Sequence, residues 1–564
     1  MASYRFPDLN ADIPTVAEHL SPLLNRLLHA RGITEAEAAD FLEPNYDQHL
    51  HDPLLLNDIE KACERIELAM KDNERIAIFS DYDCDGIPGA VVLHDLFTAI
   101  GYKNFQNYIP HRHYEGFGLS KEAIAKLKED KVVLIITIDC GTSNIQEVAY
   151  SNEQGVDVII TDHHEPEETL PEAVAVVNPK LGDYPFSELC GAAVAFKLAQ
   201  ALLSRGEYKV TPGWEKWWLD MVGIATIADM VPLVGENRVL AHYGLQVLRK
   251  SRRPGLQQLL KKNRLNQRFL TEDDIGFTIG PRINAASRMD TPEDAFHMLS
   301  EADVVKASER VNHLEKLNTD RKTQVALMTK DLHKRLKTLE SIPSVLVMGH
   351  TDWRPSLVGL AANKLAEEHG RPVFLWGKDG NGVFKGSCRS GGGVSVVKLM
   401  QAVSDVFIEH GGHHFSGGFS VKDDQIYTFG ERLASAMDEL GESAAFDQEV
   451  VVDAELSLGE VNKFLIGQLN KLAPFGTGNP KPIFSFPKAV PARVEAFGKA
   501  KDHTRLTFST EAGNLEAIAF FRLPDSFSKE PTVDIPCTLI GHVEESFFMG
   551  RKQIRLRIID ILPV

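Results

Sequence analysis

The sequence has few cysteines, and their spacing excludes two common kinds of small stabilised domain. The closest two of the six, Cys63 and Cys84, are 21 residues apart, and none forms a C-x-x-C pair. A disulfide scaffold needs closely spaced cysteines in a short secreted chain, and a zinc ribbon needs paired ones. We therefore expect free thiols in a reducing compartment, which predicts a cytoplasmic protein.

Long apolar runs, export signals, internal repeats and nucleotide-binding loops are also missing. No apolar run approaches the roughly 20 residues that span a bilayer, so no membrane association is predicted. The first residues, MASYRFPDLNAD, have neither a basic flank nor a long apolar stretch, and we expect no export signal. The chain contains no G-x-x-x-x-G-K-[ST] stretch, which leaves a P-loop ATPase unsupported.

Acidic residues outnumber basic ones. The 79 Asp and Glu residues against 61 Lys and Arg give a net charge of −18. This balance disfavours a nucleic-acid-binding protein without excluding it, because affinity for phosphates depends on a local basic surface. Metal ligands would account for part of the acidity. At 564 residues the chain exceeds one hydrophobic core, and three or four structural units are expected.

The order of apolar and polar segments predicts a multidomain α/β protein. Residues 1–55 are typical of short helices with proline-marked breaks. Across 56–300, apolar runs such as KVVLIITI and VDVII alternate with helical segments, which favours a doubly wound parallel sheet. The charged stretch 301–340 has no Pro or Gly and predicts a long connecting helix. A smaller α/β domain is expected at 341–444, and alternating segments at 445–564 predict a five-stranded β-barrel of the OB type.

Acidic and imidazole side chains are expected at the strand ends of the first α/β domain. A parallel sheet gathers its ligands at this edge, so separate loops converge on one crevice. Six carboxylates there would repel one another without counter-charge, which hard divalent cations supply. Asp oxygens suit Mg²⁺ and Mn²⁺, and an imidazole shifts the preference toward Mn²⁺. The residues are Asp81, Asp83, Asp85, Asp139, Asp162, His163, His164 and Asp229.

Each part of this cluster has a simpler interpretation. A D-x-D-x-D-G stretch is most often a turn or a calcium loop, and Asp139 or Asp162 can cap the helix that follows it. An EF-hand needs Glu at the twelfth loop position, which counted from Asp81 is Val92, so that interpretation fails. Together the residues favour two ions about 3.5–4 Å apart that activate a water and stabilise the leaving oxygen of a phosphoryl displacement.

Four motifs resemble the signatures of the DHH phosphoesterase superfamily: DYDCDG at 81–86, IDCGTSN at 138–144, TDHHEP at 161–166 and ATIADMVPL at 225–233. Nearly the whole chain resembles the RecJ family within it. These are bacterial exonucleases that degrade single-stranded DNA 5′→3′ to mononucleotides in DNA repair and recombination. The motifs that carry this second resemblance are EGFGLS at 115–120, GPRINAASRM at 280–289, GSCRS at 386–390, HGGHHFSGGF at 410–419 and APFGTGNPKPIF at 473–484.

The resemblance implies a DHH catalytic domain, a DHHA1 domain and an OB-like domain at 56–300, 341–444 and 445–564. It also implies an additional or supporting role at the metal site for Asp81 and Asp162. His164 would face the scissile phosphate, and it would either steady charge or hand a proton to the leaving oxygen. The implied ligands of two Mn²⁺ or Mg²⁺ ions are Asp83, Asp85, Asp139, His163 and Asp229.

The same resemblance implies a pocket for the 5′-phosphate. Ser387 and Arg389 of GSCRS correspond to this pocket, and Arg112 is a third member, because a guanidinium offers bidentate bonds to phosphate. A lone Arg is more often a surface ion pair. His413 lies in a Gly-rich segment that can approach a phosphate, or it is a structural turn residue. Three further residues contact the DNA backbone, approach the metals or only tie a loop to the sheet: Arg282, Asn284 and Arg288.

Two other functions remain open on the sequence. A DHH phosphodiesterase acting on short oligonucleotides or cyclic dinucleotides is generally a compact two-domain protein, so the extra C-terminal region disfavours it. A non-catalytic replication scaffold could lose ligands freely, yet every expected Asp and His is present. The resemblance implies single-stranded DNA as the substrate, a single-strand-binding protein and a RecQ-type helicase as partners, and a monomer.

Overall fold

The computed structural model describes residues 3–8, 15–379, 382–391, 393–441, 449–498, 500–511, 513–548 and 551–564. The chain divides into two compact units. The smaller unit comprises Met1–Leu50, Pro232–His242 and Gln448–Val564, and the larger unit comprises His51–Val231 and Tyr243–Asp447. No helix among the described residues has both the length and the apolar character needed to cross a bilayer.

The N-terminal part of the smaller unit is mostly helical, as the sequence predicts. Its helix α1 begins after Ser21, whose hydroxyl accepts a hydrogen bond from the backbone N–H of Leu24, and Pro22 occupies the first turn. The buried Leu27 and Leu28 belong to a core shared with the C-terminal strands of the same unit. The elements are β1 (Ser3–Arg5), α1 (Pro22–Ala30), α2 (Glu35–Leu42) and α3 (Tyr46–His49).

The larger unit opens with a five-stranded parallel sheet in the order β3-β2-β4-β5-β6, which confirms the doubly wound α/β prediction. The sheet and its helices are α4 (Ile59–Lys71), β2 (Arg75–Ser80), α5 (Gly86–Ile100), β3 (Phe105–Tyr108), α6 (Lys121–Glu129), β4 (Val132–Ile138), α7 (Ile145–Glu153), β5 (Asp157–Thr161), β6 (Ala175–Val177), α8 (Gly191–Arg205) and α9 (Leu219–Ala228). Five helices follow along the chain: α10 (Gly235–Leu248), α11 (Pro254–Lys262), α12 (Glu272–Asp274), α13 (Gly280–Met289) and α14 (Glu293–Ser300). The residues of α10 up to His242 belong to the smaller unit.

The strand order places the topological switch between β2 and β4. Neighbouring strands on either side of this point send their connections in opposite directions, which opens a crevice at the carboxyl ends. Ser80 at the end of β2 pairs with Ile138 at the end of β4, and Ile138 pairs with Thr161 at the end of β5. The residue that follows each strand therefore lies at the same level of the sheet.

A long helix and a second sheet complete the larger unit. The charged stretch predicted as a helix over 301–340 forms α15 (Val304–Leu336). The second sheet has the order β10-β11-β9-β8-β7, with β7 and β8 parallel and the other pairs antiparallel. Its elements are β7 (Leu346–Gly349), α16 (Pro355–His369), β8 (Val373–Lys378), β9 (Phe384–Arg389), α17 (Val396–Ala402), β10 (Phe407–His413), β11 (Ser416–Val421) and α18 (Phe429–Glu439).

The C-terminal part of the smaller unit is β-rich, as predicted, but its sheet has seven strands rather than five. The order is β13-β14-β18-β19-β17-β16-β15. One of the two further strands, β13, has only two residues, too few for the alternation that identifies a strand in a sequence. The elements are β12 (Glu449–Val451), β13 (Ala454–Glu455), α19 (Lys463–Leu472), β14 (Phe484–Ala489), β15 (Arg493–Phe497), β16 (His503–Thr510), β17 (Gly513–Ala519), β18 (Cys537–Phe548) and β19 (Arg551–Leu562).

Candidate metal centre and phosphate site

The acidic and imidazole residues converge at the carboxyl edge of the first sheet. The Nε2 atom of His163 lies 3.1 Å from Oδ1 of Asp139. The same nitrogen lies 3.6 Å from Oδ2 of Asp85 and 3.8 Å from Oδ2 of Asp229. Their possible ligand atoms form three groups, and the atoms of each group all lie within 4.8 Å of one another. The groups are Asp139, His163 and His164; Asp85, His163 and Asp229; and Asp81, Asp83 and Asp139.

The carboxylate of Asp85 is held by the start of α8. Its oxygens accept hydrogen bonds from the backbone N–H groups of Gly191 and Ala192, at 2.6 and 2.7 Å. A Cβ atom at Gly191 would lie 2.6 Å from the Cβ of Asp139, so only glycine lets this helix start approach both carboxylates. The positive end of the α8 dipole faces Asp85 and favours its charged form.

Asp229 corrects one detail of the sequence analysis. It follows the helix α9 rather than a strand, because residues 219–226 are buried on every side of that helix and so lack the polar face that marks most helices in a sequence. Its backbone N–H still donates to Ala225 at 2.8 Å, which extends the helix to the ligand position. Asp139, with φ +61°, takes the left-handed conformation, which is uncommon for residues other than glycine and in which Asp is enriched.

The electrostatics of this cluster fit a divalent cation. Oδ1 of Asp81 and Oδ1 of Asp139 are buried without a hydrogen-bond partner. Burial raises the pKa of Asp85 to about 7, with a contribution from Asp83, and burial together with the charge of Asp85 raises the pKa of Asp229 to about 9. Buried carboxylates that lack counter-charge are costly, and a bound Mg²⁺ or Mn²⁺ would supply it.

The two adjacent histidines have different electrostatic environments. Burial and the neighbouring charge of His164 lower the pKa of His163 to about 4, so its imidazole is neutral and able to bind a metal. Burial also opposes the charged form of His164, but the hydrogen bond to Asp162 and the charge of that carboxylate raise its pKa above the ordinary value. His164 is therefore suited to carry a proton.

Two polar residues that the sequence analysis did not single out support this pair. The backbone N–H of Thr142 donates to Oδ2 of Asp162 at 2.9 Å. The side-chain amide of Asn178 donates to Oγ1 of Thr142 at 3.2 Å and to the carbonyl of His164 at 2.9 Å. Thr142 was visible in the motif after Asp139, whereas Asn178 follows β6 with no motif to mark it.

Three separate segments each supply an arginine that has no carboxylate partner among the residues that the structure describes. Nη1 of Arg389 donates to Oγ of Ser387 at 2.8 Å, so the two members of GSCRS are already joined. Nη1 of Arg288 donates to the carbonyl of Ser356 at 2.9 Å. The guanidinium of Arg112 lies 4.8 Å from the ring centre of Tyr82, next to the acidic loop.

The charges of these arginines influence one another. Burial lowers the pKa of Arg288 to about 9, and the charges of Arg112, Arg321 and Arg389 contribute. Burial and the charge of Arg112 also lower the pKa of Arg389. None of Arg112, Arg288 and Arg389 forms an ion pair with a carboxylate among the described residues. Such a group of half-buried cations is suited to bind a phosphate.

The remaining residues of the sequence analysis differ in their surroundings. Arg282 donates to Glu315 at 2.5 Å, to the carbonyl of Thr278 at 2.8 Å and to Asn263, so its contacts favour the interpretation that it ties α13 to α15. Asn284 lies one turn before Arg288 on α13, and its buried Oδ1 has no hydrogen-bond partner.

His413 is exposed at the end of β10 rather than in a turn. Its strand is separated from β9 by β11, in which Ser416 pairs with both His413 and Arg389. Two strand spacings place the backbone of His413 roughly 10 Å from the backbone of Arg389.

Comparisons with known proteins agree with this architecture. Residues 75–226 match the DHH family N-terminal domain, 343–442 match the DHHA1 domain, and 452–560 match the RecJ OB domain. The chain is 34% identical to the single-stranded-DNA-specific exonuclease RecJ of Bacillus subtilis (strain 168), over 96% of this chain and 68% of that protein. The chain belongs to the RecJ family. RecJ of Haemophilus influenzae is 30% identical, over 98% of this chain and 97% of that protein.

Solved RecJ structures have the same fold. A crystal structure of RecJ from Thermus thermophilus in complex with Mn²⁺ matches with a TM-score of 0.83 at 26% identity, covering 100% of this chain and 80% of that chain. The family resemblance and the fold class inferred from the motifs are therefore confirmed, including the DHH, DHHA1 and OB domains of the RecJ family.

Proposed function

We propose that this protein is a metal-dependent exonuclease that degrades single-stranded DNA 5′→3′ to mononucleotides in DNA repair and recombination. The single observation that carries the proposal is a buried group of carboxylates and one neutral imidazole, beside three arginines that have no carboxylate partner in the part of the chain that the structure describes. Negative and positive groups of this kind are suited to two metal ions and to the phosphates of a nucleic acid. RecJ relatives are named for action on single-stranded DNA.

The proposed ligands are Asp83, Asp85, Asp139, His163 and Asp229, with Asp81 as a further carboxylate. When bound, two Mn²⁺ or Mg²⁺ ions would activate a water and stabilise the leaving oxygen. The start of α8 fixes the carboxylate of Asp85, and the loop before α5 fixes Asp83, whose Oδ1 accepts the backbone N–H of Asp85 at 2.8 Å. The chain thus supplies an arrangement that needs little rearrangement on metal binding.

We assign His164 the role of stabilising charge on the scissile phosphate or protonating the leaving oxygen. Asp162 orients it, because Oδ1 of Asp162 accepts the Nδ1–H of His164 at 2.7 Å. This hydrogen bond leaves Nε2 of His164 available to a substrate oxygen. Asp162 is itself fixed by backbone donors on either side, at Thr142 and His163.

The proposed pocket for the 5′-phosphate consists of Arg112, Ser387 and Arg389. Arg288 and Asn284 share a face of α13 and would contact the DNA backbone near the metals. His413 is a more distant DNA contact on the edge strand of the second sheet. Arg282 is left out of the proposed DNA surface because Glu315, Asn263 and Thr278 engage its guanidinium.

Digestion of long single-stranded DNA labelled at one end tests the function. Release of a 5′ label as a mononucleotide from the start of the reaction, dependent on Mn²⁺ or Mg²⁺ and abolished by chelator, is the expected result. A 3′ label should remain on long DNA until late in the reaction. Efficient digestion of blunt duplex, or a preference for di- and trinucleotides over long strands, would overturn the proposed substrate.

We also propose domain boundaries for this chain. They are 1–55 for the N-terminal helical segment, 56–300 for the catalytic domain, 301–340 for the connecting helix, 341–444 for the DHHA1 domain and 445–564 for the OB-like domain.

We propose two partners that fit this function. A strand-separating helicase of the RecQ type would supply the single strand, and a single-strand-binding protein would cover it. We further propose a cytoplasmic monomer, which sedimentation and co-purification with these two partners test.

A further inference from the structure

Residues 249–268 form a basic stretch that the proposed function does not use. They include eight Lys and Arg residues and no Asp or Glu, in a chain whose net charge is −18. Two of the arginines point inward. The guanidinium of Arg249 donates to the carbonyl of Leu270 at 2.8 and 2.6 Å, and Nε of Arg253 donates to Oδ2 of Asp220 at 2.9 Å. These two cations therefore hold the segment against the rest of the larger unit.

Lys250 and Arg252, which alternate with these arginines, are exposed. The backbone between them is fixed, because Oγ of Ser251 donates to Oδ2 of Asp220 at 2.7 Å and the side-chain amide of Gln267 donates to the carbonyl of Ser251 at 2.8 Å. A ligand of these two cations would not have to order a loop, so less of its binding free energy is lost on association.

A cleft beside these cations, here called the α9–α10 cleft, lies between the turn before α9 and the end of α10. Its volume is about 200 Å³, and it is lined by Lys216, Trp217, Tyr243, Gln246, Val247 and Lys250. The lining thus combines two aromatic rings and an aliphatic side chain with two basic residues, and none of these six residues is acidic. The guanidinium of Arg252 lies 5.7 Å from the ring centre of Trp217, so a third cation adjoins the cleft.

The α9–α10 cleft is distant from the proposed metal centre. Trp217 precedes α9, whereas the proposed ligand Asp229 follows it. A helix of 10 residues is about 15 Å long, so the two side chains lie at opposite ends of α9. A Cβ atom at Gly223 would lie 2.6 Å from Cα of Gly244, so α9 and α10 are in close contact and both walls of the cleft are fixed. The cleft is therefore no part of the metal centre.

An apolar cleft beside cations suits a ligand that carries one large apolar side chain and neighbouring carboxylates. Carboxylates form charge-assisted hydrogen bonds with Lys and Arg, and burial of the apolar side chain adds the hydrophobic effect. A single-stranded nucleic acid fits less well, because its row of phosphates needs a groove with rings on which successive bases stack. The three cations here surround one small cleft, and Arg252 already lies over the ring of Trp217 on which a base would stack.

We propose that the α9–α10 cleft is a docking site for an acidic segment of a partner protein. An apolar side chain of that segment enters the cleft against Trp217, and its flanking carboxylates pair with Lys250 and Arg252. The net charge of −18 repels acidic proteins from the rest of the surface, so a local basic patch confines them to one place. This docking site does not depend on the proposed nuclease function.

Fluorescence anisotropy with the full-length protein tests the docking site. The probe is a fluorescein-labelled peptide with one Phe in the middle of a row of Asp and Glu residues. Replacing this Phe with Ser should weaken binding by roughly 10- to 150-fold, which corresponds to the burial of one large apolar side chain. Trp217→Ala should weaken binding of the Phe peptide by a similar factor and should bind the two peptides alike. Added salt should weaken binding to the wild type.

Lys250→Glu provides a second variant, because its exposed side chain can be replaced without disturbing the core. It should weaken binding of the Phe peptide by roughly 5-fold or more at low salt. Trp214→Ala is the matched control for Trp217, because Trp214 belongs to the same 3₁₀ helix and is 50% exposed but does not line the cleft. Lys261→Glu, at an exposed position of α11, is the control for charge. Both controls should bind the peptide as the wild type does, and unchanged Tm values show that the variants are folded.

Three outcomes would overturn the proposal. Equal binding of the Phe and Ser peptides by the wild type would leave the cleft without a role. Wild-type affinity in both Trp217→Ala and Lys250→Glu would place the peptide elsewhere on the protein. Weaker binding of oligothymidylate by these two variants, with no binding of the peptide, would make the surface a nucleic-acid interface. None of these outcomes alters the release of a 5′ label from DNA, so the proposed nuclease function is tested separately.

Discussion

The Nδ1 atom of His164 lies 2.7 Å from Oδ1 of Asp162, and Oδ2 of the same carboxylate accepts the backbone N–H of Thr142 at 2.9 Å. Asp162 therefore uses both oxygens within the protein, one to orient an imidazole and one to fix the loop after β4. This separates it from Asp81 and Asp139, whose buried Oδ1 atoms have no hydrogen-bond partner. Asp162 thus orients an imidazole, whereas Asp81 and Asp139 each keep one buried oxygen open to a cation.

Asp162→Asn should lower kcat on saturating single-stranded DNA by about 10- to 100-fold, because an amide cannot replace the charge that holds His164 protonated and oriented. Mn²⁺ binding should change little, since the proposed ligands remain. Asp157→Asn is the matched control, because Asp157 starts β5 at the opposite edge of the sheet and pairs with Arg65. An unchanged kcat for Asp162→Asn would refute the orienting role.

Removing the metal should make stability depend on pH between 7 and 9. The raised pKa values of Asp85 and Asp229 mean that the folded protein holds more protons than the unfolded chain in this range, so stability falls as pH rises. His163, whose lowered pKa has the opposite effect, acts only below about pH 6.5. In chelator, Tm should fall by roughly 5 °C from pH 7 to pH 9.

Saturating Mn²⁺ should largely remove this fall in Tm, because bound cations replace the protons. Asp229→Asn should flatten the pH dependence in chelator, since it removes the group with the pKa of about 9. Calorimetry of the wild type and this variant, with and without Mn²⁺, provides the measurement. A Tm in chelator that rises between pH 7 and pH 9 would contradict the electrostatic account of the cluster.

Arg389→Ala should affect substrates according to their 5′ end. A charge-assisted hydrogen bond contributes about 1.5–3 kcal/mol, so kcat/KM on a 5′-phosphorylated strand should fall by roughly 10- to 150-fold. The rate on a strand with a 5′-hydroxyl should change far less. Arg432→Ala serves as the control, because Arg432 forms an exposed ion pair with Asp405. Equal losses on both substrates would exclude Arg389 from the pocket for the end phosphate.

Arg238 should be essential for the stability of the smaller unit. Its buried guanidinium donates to the carbonyls of Phe41, Leu472, Lys471 and Ala473 and lies 3.8 Å from the ring centre of Phe41. Arg238→Met removes the donor to these buried carbonyls, of which Leu472 keeps the side-chain amide of Asn479, and should cost about 3–5 kcal/mol. Urea unfolding measures the loss, and a change below about 1 kcal/mol would contradict this role.

Much of the first sheet and its carboxyl edge could be predicted from the sequence. KVVLIITI and VDVII are apolar along their whole length, as parallel strands covered on both faces must be, and they form β4 and β5. Asp139 and Asp162 follow these strands directly, so strand order alone brings them together. The apolar pattern of each strand and the position of the Asp directly after it were enough to predict this part of the site, because the backbone of a strand fixes where the next residue lies.

Other features depend on tertiary contacts that no local pattern reveals. Asp229 reaches the cluster from the end of a helix, and an all-apolar run does not distinguish a buried helix from a strand. The contacts of Arg282 with Glu315 on α15 join residues 33 positions apart, so its motif alone suggested a ligand contact. Asn178 supports the loop that carries His164 through a pairing visible only in three dimensions.

The central claim is that the acidic cluster holds two divalent ions, and an anomalous difference map from a crystal soaked in Mn²⁺ tests it most directly. We predict two peaks about 3.5–4 Å apart, bounded by Asp83, Asp85, Asp139, His163 and Asp229. A map without peaks at these side chains, or with Mn²⁺ bound only elsewhere on the protein, would contradict the account.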